Sequence, residues 1–234
     1  MMTRDRLTPR QAIVVLDVPS LPEPAVSAPA RGDSHTVLQP YALLDVIGTL
    51  VGVDGASISI VCQSPARARA LHAALPAGVD LMVPEPVHLA VEGALVWGLR
   101  LLLDRQFSRI VAIAGDTLAV PSRLVATALG SLSTADMVIG QTLQSGVYLV
   151  GVRDQAGISL LREAGAAPNW SHLDPRVLLE RARPVGTVVR HVESRMRLSD
   201  LTSPETIRAA LEDSAGLAPR MTAALAGEAY ELLA

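Results

Sequence analysis

The chain has 234 residues, half of them hydrophobic and 18% charged, with a formal net charge of −3 and one cysteine. That size and apolar content suit a well-packed core and exclude wholesale disorder, and the acidic balance argues against a nucleic-acid surface. All 20 basic residues are arginine, so no lysine Schiff base, lysine general base or phosphate-gripping ammonium is available. The lone Cys62 rules out an internal disulfide and a multi-cysteine metal site. The polar start, MMTRDRLTPR, does not read as a signal peptide. No charge-free apolar run reaches the length of a membrane span. A cytoplasmic protein is the expectation.

In chain order, residues 12–18 (AIVVLDV) read as a buried strand. Residues 19–34, with Pro19, Pro22, Pro24 and Pro29, read as a loop. Residues 36–52 read as a helix with Pro40 in its first turn, where proline is tolerated. A strand at 56–63 is followed by a helix at 64–75, opened by a Ser-Pro pair suited to a cap and first helical residue. Next come a strand at 79–83, one longer helix at 87–105, and a strand at 108–115 whose lack of alternation places it between two covered faces. A helix from Pro121 to Leu132 precedes two strands in close succession, 135–141 and 146–152. Helices at 154–165 and 174–183, the second capped by Asp174, lead to a strand at 186–193. A helix from Ser203 to about Glu212 and an amphipathic helix at 217–233 finish the chain. Alternating strands and helices through residue 134 predict an α/β protein with a mostly parallel sheet covered on both faces. The close strand pair that follows predicts a mixed sheet there.

In such a sheet ligands sit outside the carboxyl ends of the strands. The stretch AIAGDTLAVPSRL puts Asp116 at one of those ends. A carboxylate there suits Mg²⁺ or Mn²⁺, which take oxygen ligands. Alternatively, Asp116 caps the helix or turn behind it.

Gly115-Asp116-Thr117-Leu118-Ala119-Val120-Pro121, the run from Gly140 to Val152 containing Gly146-Val147-Tyr148-Leu149, the Trp170-Ser171 pair, and Asp200-Leu201-Thr202-Ser203-Pro204-Glu205 stand in that order. Together they resemble motifs of the DUF2064 family of glycosyltransferase-like proteins over most of residues 108–212. The resemblance implies a three-layer α/β/α GT-A (nucleotide-diphospho-sugar transferase-like) fold. It also implies a nucleotide-sugar or nucleoside triphosphate donor and a divalent Mg or Mn ion. By the same resemblance Asp116 holds the metal with Asp200 assisting. Asp116, Gly146, Trp170 and Ser171 line the nucleotide site, Gly146 by letting backbone approach the ligand. Gly146 also fits a plain hairpin glycine, and Trp170 a packing residue.

The chain departs from the family pattern at several positions. Leu118 stands for a proline, Gln144 for an aspartate and Thr202 for the second aspartate of the late element. In the loop after the first strand, an ungapped comparison puts Glu23 and Val26 where a glycine and a lysine belong. The five histidines are scattered without metal-ligand spacing; His172 follows the Trp-Ser pair and His191 sits in the late strand. No dinucleotide fingerprint, phosphate-binding lysine loop or hydrolase elbow is present. The expected organisation is a flexible N-terminus over 1–11, a GT-A-like domain over 12–213 and a helical extension over 214–234. Two functions remain open. One is a metal-dependent glycosyl- or nucleotidyltransferase-like protein. The other is a catalytically degraded member that binds a ligand or a protein.

Overall fold

The computed structural model describes residues 10–17, 34–144, 146–166, 170, 173–201, 203–213 and 216–226. In chain order the elements are β1 (Gln11–Leu16), α1 (Ser34–Leu50), β2 (Ala56–Val61), α2 (Pro65–His72), β3 (Val79–Met82), α3 (Pro86–Val91), α4 (Gly93–Asp104), β4 (Arg109–Ala114), α5 (Ser122–Ser131), β5 (Met137–Thr142), β6 (Val147–Val152), α6 (Gln155–Glu163), α7 (Pro175–Ala182), β7 (Val189–Arg195), α8 (Pro204–Glu212) and α9 (Pro219–Leu225). The seven strands form one sheet in the order β3-β2-β1-β4-β6-β5-β7. β1 pairs in parallel with β2 and β4, and β5 with β7. β6 runs antiparallel between β4 and β5, so the sheet turns mixed where the close strand pair predicts.

Alternate residues of the central strands feed two cores. Ala12, Val14 and Leu16 of β1 pack with Leu95, Leu99 and Leu102 of α4 and Ile158 and Leu161 of α6 on one face. Ile13 and Val15 pack with Leu43, Ile47 and Leu50 of α1 and Val125 and Leu129 of α5 on the other. β6 is buried along its whole length, which explains why its sequence does not alternate. These are the three layers expected of a GT-A-like α/β protein. A third apolar cluster joins Leu38, Tyr41 and Ala42 of α1 to Leu118, Leu198, Ile207, Leu211 and Met221. It packs Leu198, Ile207, Leu211 and Met221 onto α1, and Asp45 of α1 accepts the N–H groups of Arg220 and Met221 at 3.1 and 3.0 Å. That carboxylate thereby satisfies free donors at the start of α9.

Four elements differ from the sequence expectation. The helix expected over 217–233 is α9, which starts at Pro219 and ends at Leu225 with Ala226 as its cap. The helix expected over 87–105 is two, α3 and α4, separated at Gly93, whose φ of +70° glycine adopts without steric cost. α1 begins at Ser34, so Pro40 lies inside the helix rather than in its first turn and forgoes one backbone bond there. The last strand starts at Val189, not 186, because Val188 is used beforehand: its N–H donates to the Asp136 carboxylate and its carbonyl accepts from Asp136 and Met137. The expected caps form, with Ser64 and Asp174 accepting from Arg67 and Arg176 N–H, and Ser203, read as the first residue of its helix, caps α8 instead by accepting from Thr206 N–H. Residues 1–9, most of the 19–34 loop and the chain beyond 226 lie outside the described residues. Among those described, no helix is long and apolar enough to cross a membrane.

Candidate functional site at the carboxyl edge of the sheet

β4 ends at Ala114 and the chain turns at Gly115. A Cβ there would stand 2.6 Å from Leu43 Cδ1 and 2.8 Å from the Leu16 carbonyl oxygen, so only glycine fits. The Gly115 N–H donates to that same carbonyl at 2.8 Å, locking the end of β4 to the end of β1. This delivers Asp116 to the carboxyl edge, 3% exposed. It does not cap the following helix, because the residue before α5 is Pro121 and no side chain bonds there.

The partner of Asp116 is Arg197, 81 positions away. Arg197 Nε donates to Oδ1 at 2.8 Å, and the Ser199 N–H donates to Oδ2 at 3.3 Å. Arg197 is 5% exposed and its guanidinium lies 5.3 Å from the centroid of the Trp170 ring, within reach of a cation–π contact. Backbone bonds hold it there: Leu198 N–H donates to the Asp116 carbonyl (2.7 Å) and Leu118 N–H to the Met196 carbonyl (2.8 Å). Asp200 closes the cluster by accepting the Arg197 N–H at 3.1 Å. Burial pushes the Asp200 carboxyl up from its ordinary value, and Asp116 adds to that; the Arg197 N–H and charge and the Thr142 hydroxyl oppose it.

Gly146 enters through Thr142. Its N–H donates to Thr142 Oγ1 at 2.9 Å at the mouth of the β5–β6 hairpin. Gln144 on the same hairpin donates its amide to the Asp200 carbonyl at 2.8 Å. Trp170 is buried in the core shared with Leu173 and Leu178. Three of the five sequence-predicted site residues, Asp116, Asp200 and Trp170, thus contact one arginine, while Gly146 contacts Thr142. Ser171, along with His172, Thr202, Glu23 and Val26, lies outside the described residues. His191 is exposed on β7, and Cys62 is a buried thiol whose pKa burial pushes up to about 12.

Sequence reasoning missed Arg197. It missed Asp17 as well, which is 5% exposed at the end of β1 and held by two bonds from Arg67, at 2.9 and 3.1 Å. It also missed Arg195 at the end of β7. The Nε of Arg195 is the one buried side-chain polar atom without a partner among the described residues.

The donor set fits a divalent ion poorly. Mg²⁺ demands near-octahedral oxygen ligands at about 2.1 Å. Both oxygens of Asp116 already accept N–H groups and Asp200 is turned to the Arg197 backbone. Among the described residues no three His, Cys, Asp or Glu side chains gather as a metal site.

The three-layer fold is that of nucleotide-diphospho-sugar transferase-like proteins. A supposed nucleotide-diphospho-sugar transferase from Desulfovibrio desulfuricans G20 superposes with a TM-score of 0.70 at 17% identity, over 97% of each chain. A 4-diphosphocytidyl-2C-methyl-D-erythritol synthase from Anaerococcus prevotii DSM 20548 gives 0.56 at 12% identity, over 86% of this chain and 94% of its own. A Mycobacterium sp. strain JC1 homologue of a Mycobacterium tuberculosis protein gives 0.53 at 13%, over 89% and 98%. At such identities the likeness is one of fold. No curated protein matches the sequence. The chain belongs to DUF2064, the family described as an uncharacterized protein conserved in bacteria, whose profile matches residues 46–166.

Proposed function

We propose that the chain binds a nucleotide or nucleotide-sugar at the carboxyl edge of its sheet, as a glycosyl- or nucleotidyltransferase-like protein. The convergence of Asp116, Asp200, the Thr142–Gly146 mouth and Trp170 around Arg197 carries this reading. The convergence lies at the end of central strand β4, where open α/β sheets receive their ligands. With no lysine in the chain, whatever meets the diphosphate is arginine, backbone N–H or a metal. Arg67 and Arg195 are the part-exposed guanidiniums of that edge, with side chains 29% and 20% exposed. The Arg195 guanidinium pairs with the exposed Glu193 at 3.0 Å, an ion pair that a phosphate could displace. The Mg or Mn ion implied by the family resemblance would fall on Asp116 and Asp200, and it would need Arg197 to leave.

A second reading is favoured by Gln144. An aspartate there would present a carboxylate to a substrate, whereas the glutamine amide is spent on the Asp200 carbonyl. A protein that binds the ligand without transferring it fits this observation. Titration calorimetry with a panel of nucleotides and nucleotide-sugars, on the wild type and on Arg195→Ala, tests the binding step. Saturable binding by the wild type that weakens in the folded variant supports it, and no binding to folded wild type refutes it. Turnover of whichever compound binds then separates a transferase from a binding protein.

A further inference from the structure

We infer that Arg197 is an internal counter-ion standing where a divalent cation would sit on Asp116, so that this edge takes its ligand without a divalent metal. The part of this inference that concerns the ligand rests on the proposed function; the part that concerns the metal does not.

The guanidinium is not a loose surface group swung onto a carboxylate. It is 5% exposed against a 3% exposed Asp116, its Nε is 2.8 Å from Oδ1, and the Trp170 ring lies beside it. The chain on both sides is pinned. Thr117 and Arg197 form an antiparallel bridge, the Leu118 and Leu198 N–H groups tie residues 116–118 to 196–198, and Gln144 holds the Asp200 carbonyl. Leu118 gives its N–H to the Met196 carbonyl and Gln144 its amide to the Asp200 carbonyl, so donors stand on both sides of Arg197.

Charge makes the two occupants exclusive. Asp116 and Asp200 bring at most two negative charges. Arg197 brings one positive charge, and a divalent ion beside it would leave two cations in contact in a buried site, where repulsion is weakly screened. A metal approaching Asp116 would have to displace the guanidinium from Oδ1 or share the carboxylate with it against that repulsion.

The experiment is a Mn²⁺ titration of the full chain, read by loss of the free-ion electron paramagnetic resonance signal, with no nucleotide present. The wild type should leave the signal unchanged at millimolar metal. Arg197→Met should bind Mn²⁺ roughly tenfold or more tightly than the wild type, and adding Asp116→Asn to it should abolish the gain. If Arg197→Met fails to fold by circular dichroism, Arg197→Gln, which keeps an N–H donor toward Asp116, takes its place. Mn²⁺ binding by the wild type that is lost in Asp116→Asn would overturn the inference. So would folded Arg197 variants that bind no better than wild type. Nucleotide binding by the wild type should be the same with Mn²⁺ and with a chelator, and dependence on Mn²⁺ would also overturn it. Absence of nucleotide binding under both conditions refutes the proposed function instead, and the metal titration still decides the role of Arg197.

Discussion

Replacing Arg197 by methionine removes the cation and keeps most of the apolar stem. At the 2.8 Å separation of Arg197 Nε and Asp116 Oδ1, an effective dielectric of about 20 gives a gross attraction of roughly 6 kcal/mol. Desolvation of both groups offsets much of it, and removing one member of a buried pair typically costs about 3–5 kcal/mol because the other charge stays buried. Loss of the Trp170 contact adds to this, by roughly 0.5–2 kcal/mol. The expected loss at neutral pH is therefore at least about 3 kcal/mol, out of a domain stability on the order of 5–15 kcal/mol. For a chain of this size each kcal/mol moves Tm by roughly 2–4 °C, so a drop of about 6 °C or more is expected. Urea denaturation of wild type, Arg197→Met, Asp116→Asn and the double variant measures it. The double variant should lose less than the sum of the singles, because the pair is coupled. A loss below about 1 kcal/mol for Arg197→Met, the value of an exposed pair, would refute the argument that the site is built on this contact.

Gly115→Ala should cost about 1–3 kcal/mol, since its Cβ would meet Leu43 Cδ1 and the Leu16 carbonyl at 2.6 and 2.8 Å; thermal denaturation reads the loss. Gln144→Glu removes the donor to the Asp200 carbonyl and should cost about 1 kcal/mol, measured by urea titration. Cys62, fully buried and with its thiol pushed up to about 12 by burial, should resist a thiol-specific reagent at pH 8 until the chain is unfolded. The unfolded state releases that proton first, so this group's contribution to stability falls as pH rises above 9.0, its ordinary value. The Asp45 carboxyl is raised chiefly by burial, against the opposing Met221 and Arg220 N–H bonds. The folded state therefore takes up its proton first on acidification. Wild type should gain stability relative to Asp45→Asn as pH falls from above that raised value toward 3.8, measured by urea titration across that range.

The layers were legible because each strand carries its own local signal. Unbroken apolar runs such as RIVAIA mark β4 as buried on both faces, and Ser64, Asp174 and Ser203 announce their helices one residue ahead. Asp116 was placed correctly at the end of β4 for the same reason. Its partner was not legible. An arginine is ordinarily a surface residue, and nothing near position 197 announces a carboxylate 81 positions earlier. Ending the last strand at residue 193 also left Arg195 beyond the sheet, which in the structure it closes. The strand shift is itself a tertiary effect, since the Asp136 carboxylate captures the Val188 N–H. The same limit hid the Asp17–Arg67 pair, which spans 50 positions. The break at Gly93 was readable in principle, but one glycine in an apolar helical stretch is a weak signal against the periodicity around it.

The buried carboxylates among the described residues share a solution. Asp17 is held by Arg67, Asp116 by Arg197, and Asp45 lies 3.6 Å from Arg220, which also donates to the Leu44 carbonyl. An arginine suits such places better than a lysine, because a planar fork serves several acceptors at once and is less strongly hydrated when buried. In a chain without lysine, the charges that most need a counter-ion are thus paired within the polypeptide. The two pairs at the carboxyl edge, Asp17–Arg67 and Asp116–Arg197, flank the point where β1 and β4 end side by side. Under the proposed function, a diphosphate arriving there would meet Asp17 and Asp116 already paired with arginines. An unpaired Asp116 would repel it unless a metal came too. The arginine pairing removes that requirement and fixes the position of the positive charge before any ligand binds, which lowers the ordering cost of binding.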